Sequence, residues 1–345
     1  MEMPLGHLTL RDIAREAGVS VATLDRVLHG RSGVREDTAR RVRETIARFN
    51  FRPSRAGAEL ARGKSMKFAF VMPTGSNIFM GMIRDTVTDM GAWLSARRAS
   101  AELLLTDVFN PETLTNALES MVGCYDGVAV VALDHQSVRG AIDDLVDAGA
   151  HVVTLVSDVP GSKRRHYVGI DNVAAGRTAA TLLGRLAGGR RGKVGVIAGS
   201  QLLRDHAERI FGFQQVIALE YPDLQMAGVV EGSDQDEVNE HLMAGFLDNH
   251  QDLIGVYNVG AGTPGVVNAL TASGREREVL LIAHDLTSFT RRALLRGAID
   301  AVISQDAGHE ARSAIRVMMA LIRGEPILDE QEKIRIDIIM RDNLP

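Results

Sequence analysis

The sequence predicts a small all-α headpiece followed by a larger two-lobed α/β body with parallel sheets. Three observations carry this. Residues 9–30, TLRDIAREAGVSVATLDRVLHG, have the spacing of two short helices joined by a tight turn. From residue 66 onward, ten short β-rich runs alternate with helical segments. The charge divides along the same line. Residues 1–65 hold thirteen Lys and Arg against eight Asp and Glu, and the remaining 280 residues hold twenty-six against thirty-six. A basic headpiece on an acidic body points to contact with a polyanion through the first domain only.

In the headpiece, Thr9 is placed to cap a first helix over 10–17, with Asp12 at the capping-box position. Gly18 ends that helix. Ser20 caps a second helix over 21–28, closed by His29-Gly30. Ile13, Ala14, Ala17, Val19, Leu24, Val27 and Leu28 are spaced to form a small core. Val21, Ala22, Asp25 and Arg26 are left facing outward at the start of helix two, as in a helix-turn-helix recognition helix. A third amphipathic helix is expected over 36–49, burying Val42, Ile46 and Phe49 and exposing Arg40, Arg41, Arg43 and Arg48. Pro53 stops it, and SRAGAELARG then reads as one short helix whose only larger apolar residue is Leu60.

In the body, KFAFVM, AELLLTD, GVAVVAL, HVVTLVS, YVGID, KVGVIAG, MAGVVEG, LIGVYNV, EVLLIAHD and DAVISQD read as strands. Helices are expected over 79–97, 111–122, 138–148, 174–186, 206–219, 234–249, 264–273, 287–295 and 307–323. Near-continuous apolar strands imply sheets covered on both faces, and ten strands divide naturally into two lobes. Ligands in such sheets bind beyond the carboxyl ends of the strands. Those ends are polar here: TGSNIF, Asp134-His135, SDVPG, Asp171-Asn172, RDHAERIFGF, Asp285 and Gln305-Asp306. Planar polar groups of this kind suit hydroxyl-rich ligands.

Other function classes find little footing. The N-terminus has no apolar stretch of the secretory kind, and no run reaches the roughly 20 apolar residues of a membrane span. A lone Cys124 permits no internal disulfide and fits a cytoplasmic protein. Ten histidines lie without ligand spacing, so no metal is expected, and with no HExxH, no G-x-S-x-G and no Cys-His cluster neither an enzyme nor another cofactor is expected. The strongest enzymatic alternative is an NAD-dependent oxidoreductase. GAGTPG at 260–265 is a formal G-x-G-x-x-G between a strand and a helix, and Asp285 lies 20 residues past Gly265. Pro264 opposes it, because it removes an amide where pyrophosphate would bind. AELARGKS at 58–65 misses a phosphate-binding loop by its first residue and by following a helix.

The headpiece motif, the segment FNFRPSRAGAELARGKS and the body, in this order, resemble the LacI/GalR family of transcriptional regulators over essentially the whole chain. The resemblance implies a helix-turn-helix headpiece at 1–53, a hinge helix at 54–65 and a periplasmic-binding-protein-like body at 66–345. Lobe 1 is expected at 66–171 and 301–328, and lobe 2 at 172–300 and 329–340. It implies a homodimer, joined in part through the 79–97 helix, that binds double-stranded operator DNA. Thr9, Leu10, Ser20, Val21, Ala22, Thr23, Arg26, His29, Arg55, Gly57 and Leu60 would meet DNA, with Leu60 wedging into the minor groove. Two positions depart from the family. Asp25 replaces the usual Ser, leaving it to orient Arg26 or accept from a cytosine amino group, and Gly57 replaces an alanine.

For the body, the resemblance implies a small-molecule effector, with a sugar or polyol preferred, bound between the lobes. It would be held by Asn77, Phe79, Asp134, Arg209, Asn258, Asp285 and Gln305, and its binding would change operator affinity. Some of these residues have a plainer role open to them. Arg209 could be a surface arginine paired with Glu208. Asp285 could cap the helix after it, Asn77 could be a turn or cap residue, and Asp134 could be a solvated strand end. Asp171 and Asn172 read first as caps.

Overall fold

The computed structural model describes residues 10–28, 32–49, 65–75 and 77–345. They fall into two compact units, within 1–64 and 65–345. In the first, α1 (Leu10–Glu16), α2 (Val21–Leu28) and α3 (Glu36–Arg48) close around Ile13, Ala14, Ala17, Leu24 and Val42. Gly18 turns the chain at φ +64°, a conformation that costs a side-chain-bearing residue but not glycine. The Ser20 hydroxyl accepts from the Thr23 amide at 3.1 Å, so α2 starts where its cap residue placed it. The expected cap Thr9 and the hinge segment to Lys64 lie outside the described residues.

The body contains two sheets. The first, in the order β2-β1-β3-β4-β5, is wholly parallel: β1 (Met66–Pro73), β2 (Ala99–Thr106), β3 (Gly127–Val130), β4 (His151–Leu155) and β5 (His166–Val168). Six consecutive residues of β1 are buried, the pattern of a strand covered on both faces. Its helices are α4 (Ile78–Asp89), α5 (Gly91–Ser95), α6 (Pro111–Glu119) and α7 (Gln136–Asp147). The single helix expected over 79–97 is interrupted at Met90. Gly91 follows directly, and the Thr86 and Thr88 hydroxyls bond back to the Met82 and Arg84 carbonyls, which bends a helix.

The second sheet runs β11-β10-β9-β8-β6-β7. Its parallel strands are β6 (Gly192–Ala198), β7 (Leu224–Glu231), β8 (Leu253–Asn258), β9 (Leu280–His284) and β10 (Ala301–Ser304). Around it lie α8 (Asn172–Ala187), α9 (Arg204–Glu220), α10 (Asp236–Asn249), α11 (Thr263–Ala272) and α12 (Ser288–Arg296). After β10 the chain returns to the first sheet as α13 (Ala307–Arg323), which packs on α4, β3, β4 and β5. It then passes through α14 (Asp329–Glu332) to β11 (Asp337–Ile339), antiparallel to β10.

Two sequence expectations are corrected. Residues 301–304 belong to the second sheet, not the first lobe, because Val302 and Ile303 sit in register beside Ala283 and His284 of β9. The return to the first lobe starts at Gln305. The strand β11 was not expected; three residues at a sheet edge give too short an alternation to stand out.

Candidate functional site

On the headpiece, Val21, Ala22 and Arg26 are exposed on α2, with Val21 42% accessible at its first turn. Thr23 is partly covered, and its hydroxyl lies 2.9 Å from the Ser20 hydroxyl. The structure therefore brings Ser20, Val21, Ala22, Thr23 and Arg26 onto one helix end. Nothing is described of the Leu10, Asp25 and Leu28 side chains. Thr9, His29, Arg55, Gly57 and Leu60 lie outside the described residues.

In the body, the strand ends of both sheets face one another across a narrow cleft. The cavity at its centre, about 30 Å³, is walled by Asn77, Phe79, Met80, Val131, Val156 and Ser157 from the first lobe. From the second come Leu203, Asp205, His206, Arg209, Asp234, Gly260, Ala261 and Asp285, with Gln305 at the crossover. A neighbouring cavity of about 270 Å³ shares Asn77, Phe79, Asp234, Gly260, Ala261 and Asp285 and is closed on its far side by His284, Thr287, Phe289 and Thr290. The lobes touch directly: Asn77 Nδ2 donates to Asp234 Oδ2 at 3.3 Å, and the Arg204 amide donates to the Ser157 hydroxyl at 3.1 Å.

Five of the seven residues expected to hold an effector meet here: Asn77, Phe79, Arg209, Asp285 and Gln305. Arg209 is not a surface arginine, since only 2% of it is accessible and Glu208 pairs with Arg204 instead. Its Nε donates to Asn172 Oδ1 at 2.8 Å, and its Nη1 donates to the Val259 carbonyl at 2.9 Å. Its Nη2 approaches Asp205 at 3.9 Å and makes no hydrogen bond. Asp285 is not a helix cap, because Thr287 and Thr290 form a capping box of their own. It stands at φ +63° with Oδ1 unbonded. Burial pushes its carboxyl up to about 7, with Arg209 and Gln305 opposing. Asn77 does cap α4, accepting from the Met80 amide, while its amide group reaches the other lobe.

Two expected residues are elsewhere. Asn258 is buried, but its Nδ2 is engaged by the Gly260 and Ala261 carbonyls and the Thr263 hydroxyl, so it shapes the glycine loop from behind. Asp134 is held by Arg139 at 2.6 Å and Arg204 at 3.5 Å at the cleft's outer edge and lines none of these cavities. As expected of caps, Asp171 accepts from the Ala174 amide.

Sequence reasoning missed Asp205, His206 and Asp234 on the wall, and Glu310 behind it. Glu310 is fully buried with both oxygens unbonded, and burial, with Asp285 adding, raises its carboxyl well above the usual range. RDHAER spaces Asp205 and Arg209 four apart, which on a helix is one face; that signal was present and unread. Among the described residues, no group of three or more His, Cys, Asp or Glu is placed to hold a metal ion.

The glycine loop is no phosphate cradle. A Cβ on Gly262 would lie 2.2 Å from the Asn239 amide nitrogen, and one on Gly265 would lie 1.8 Å from the Asp236 carbonyl. These glycines let α10 and α11 close on one another. Pro264 stands in the first turn of α11, where an amide donor would be needed.

Comparison with known proteins agrees with this architecture. Residues 68–326 match the periplasmic binding protein domain model, and residues 9–54 match the model of the lacI family of bacterial regulatory proteins. The regulator GalS of Salmonella typhimurium is 26% identical over 74% of each chain. Catabolite control protein A of Streptococcus mutans is 36% identical over 83 residues, which span about a quarter of that protein's length. GanP, a glucose-galactose binding protein from Geobacillus stearothermophilus, superposes with a TM-score of 0.74 at 21% identity, covering 82% of this chain and 99% of that one. A solute binding protein from Burkholderia graminis, solved with D-arabinose, gives 0.74 at 22% identity, over 81% of this chain and 97% of that one.

Proposed function

Because the chain belongs to the periplasmic binding protein domain family, with a lacI-family segment at residues 9–54, we propose that it is an effector-controlled DNA-binding transcriptional regulator. It acts as a homodimer in the cytoplasm, most simply as a repressor. The observation that carries the sensing half is the cleft itself, where Arg209, Asp285 and Gln305 each keep an unbonded, buried polar atom on one shared cavity. A buried polar group without a partner costs about 1–3 kcal/mol, so such a set is stabilised by a polar ligand that satisfies it. The effector is a hydroxyl-rich small molecule of the sugar or polyol kind, with Phe79 against its apolar face.

The mechanism joins two sites through the body. Effector contacts on both lobes favour one lobe orientation over another, which changes the spacing of the two headpieces and hence operator affinity. The outward residues Val21, Ala22 and Arg26 read the major groove, and the hinge around Leu60 enters the minor groove. No enzymatic step is assigned to the cleft. The test is selection of bound duplexes from a random pool by the full-length protein, then retardation of the selected site with and without residues 1–64. A reading without DNA binding would be required if no consensus emerged. One without sensing would be required if no sugar or polyol altered the retardation.

A further inference from the structure

We propose that the effector carries an amino group as well as hydroxyls, so that it is an amino sugar or amino polyol and not a neutral or anionic sugar. This rests on the effector-sensing reading above and narrows it. The wall of the central cavity carries three carboxylates, Asp205, Asp234 and Asp285, against one guanidinium, Arg209. His206 lies beside them, its Nδ1 accepting from the Ser200 amide at 3.2 Å and its Nε2 3.6 Å from Asp205 Oδ2. Glu310 stands fully buried behind the wall.

The unbonded atoms point the same way. The buried side-chain atoms of the wall that have no hydrogen-bond partner include three oxygens, Asp205 Oδ1, Asp285 Oδ1 and Gln305 Oε1, and one nitrogen, Arg209 Nη2. Behind it, Asn258 Oδ1 is a further acceptor without a donor, and neither Glu310 oxygen has a partner. Asp205 is 4% accessible, and the unbonded Asp285 Oδ1 is itself buried. A hydroxyl brings one donor and an oxygen that itself asks for donors. An ammonium group brings three donors, no acceptor and a positive charge. A phosphate or sugar carboxylate would bring only acceptors and add like charge to an acidic pocket. Burial raises the carboxyls of Asp285 and Glu310, and the neighbouring acids add to it.

The test is titration calorimetry on the full-length protein with matched sets: D-glucose, D-glucosamine, N-acetyl-D-glucosamine and D-glucose 6-phosphate, the galactose and mannose equivalents, and D-glucitol with its 1-amino derivative. In at least one set the amine should bind roughly tenfold or more tightly than both its parent and its uncharged N-acetyl form. Asp205→Asn, which keeps the side chain's shape, should shrink that amine-to-parent ratio by roughly tenfold. A parent sugar or phosphate that outbinds every amine, no binding by any member, or an unchanged ratio in Asp205→Asn, would each overturn the proposal. Retardation of the selected duplex by the same preparation separates the two readings. Protein that grips DNA and responds to a neutral sugar loses only the amine, whereas protein that binds an amine without gripping DNA loses only the regulator.

Discussion

Arg209 and Asn172 form one unit: the guanidinium Nε donates to Asn172 Oδ1 at 2.8 Å, and Asn172 Nδ2 donates to the Tyr167 hydroxyl at 3.0 Å. Asn172 opens α8 just after the chain has crossed from the first lobe, and Tyr167 is in that lobe's last strand. The Tyr167 hydroxyl also lies 2.9 Å from the Val156 carbonyl, to which it donates. The arginine on the cleft wall is therefore fixed to the crossover between the lobes.

Replacing Asn172 with alanine removes one of the two hydrogen bonds that orient Arg209 and leaves Nε unmet. Effector affinity should fall by about tenfold, the loss of one buried charge-assisted bond. Arg209→Ala should do more, abolishing measurable response and lowering stability by roughly 3–5 kcal/mol, because Asp205 and Asp285 lose their shared counter-charge. Calorimetric titration and denaturant unfolding read the two effects. Wild-type effector affinity in Asn172→Ala would mean that Arg209 holds its place without the hinge.

The pH dependence of stability should carry the mark of Asp285. Its folded carboxyl is raised to about 7 from 3.8, so the folded chain holds a proton that the unfolded chain has released. That contribution is complete below the unfolded value, declines as pH rises between about 4 and 7, and is gone above. In Asp285→Asn the group does not titrate. The stability difference between variant and wild type should then shift in the variant's favour by up to roughly 4 kcal/mol from pH 4 to pH 8. Urea melts at a series of pH values measure it. Parallel curves for the two proteins would show that Asp285 ionises normally.

The two sheets, their helices and the headpiece were legible because apolar strand runs and helical caps repeat at short range. Ser20, Asp171 and the strand AVIS are examples that local pattern alone locates. Lobe membership was less legible. Residues 301–304 look the same whichever sheet they join, and β9 decides it from nineteen residues away. The family resemblance pointed to Arg209 and Asp285, which stand on the cleft wall, and to Asn258, which stands behind the glycine loop. An asparagine at a strand end can face a ligand or hold its own loop, and only the placement of the Gly260, Ala261 and Thr263 atoms separates the two. Glu310 gave no signal, since a glutamate in a helix's first turn is ordinarily an exposed partner of the helix dipole.

Asn77 links cap and latch, and the two can be parted. Asn77→Asp keeps an oxygen for the Met80 amide, so α4 and the overall stability should be little changed. It also sets a carboxylate against Asp234, where the wild-type amide donates at 3.3 Å. Like charges there disfavour lobe contact, and the effector concentration for half-response should rise by roughly tenfold. Small-angle scattering should show a larger radius of gyration without effector. An unaltered half-response would remove the Asn77–Asp234 contact from the closing motion.

Gly265→Ala tests the glycine loop. The added methyl would stand 1.8 Å from the Asp236 carbonyl, so α10 and α11 must part. Overpacking of this kind costs about 1–3 kcal/mol, and the melting temperature should fall by several degrees. Wild-type protein should show no NAD(H) binding by fluorescence. Binding that Gly265→Ala abolished without a drop in melting temperature would revive a dinucleotide role for the loop.

Operator choice should reside in Val21 and Ala22. Both are exposed at the first turn of α2, which Ser20 fixes by its bond to the Thr23 amide, and neither contributes to the headpiece core. Small apolar side chains at such positions contact thymine methyls and leave room for close approach to base edges. Val21→Gln with Ala22→Arg supplies groups that favour adenine and guanine instead, each good base contact discriminating by about 1–3 kcal/mol. The double variant should fold as the wild type does and select a duplex that differs at a few adjacent positions in each half-site. Arg26→Ala should instead weaken binding to the wild-type and variant sites alike and flatten the salt dependence, as loss of a phosphate contact does. Recovery of an unchanged consensus by the double variant would mean that α2 presents another face to the groove.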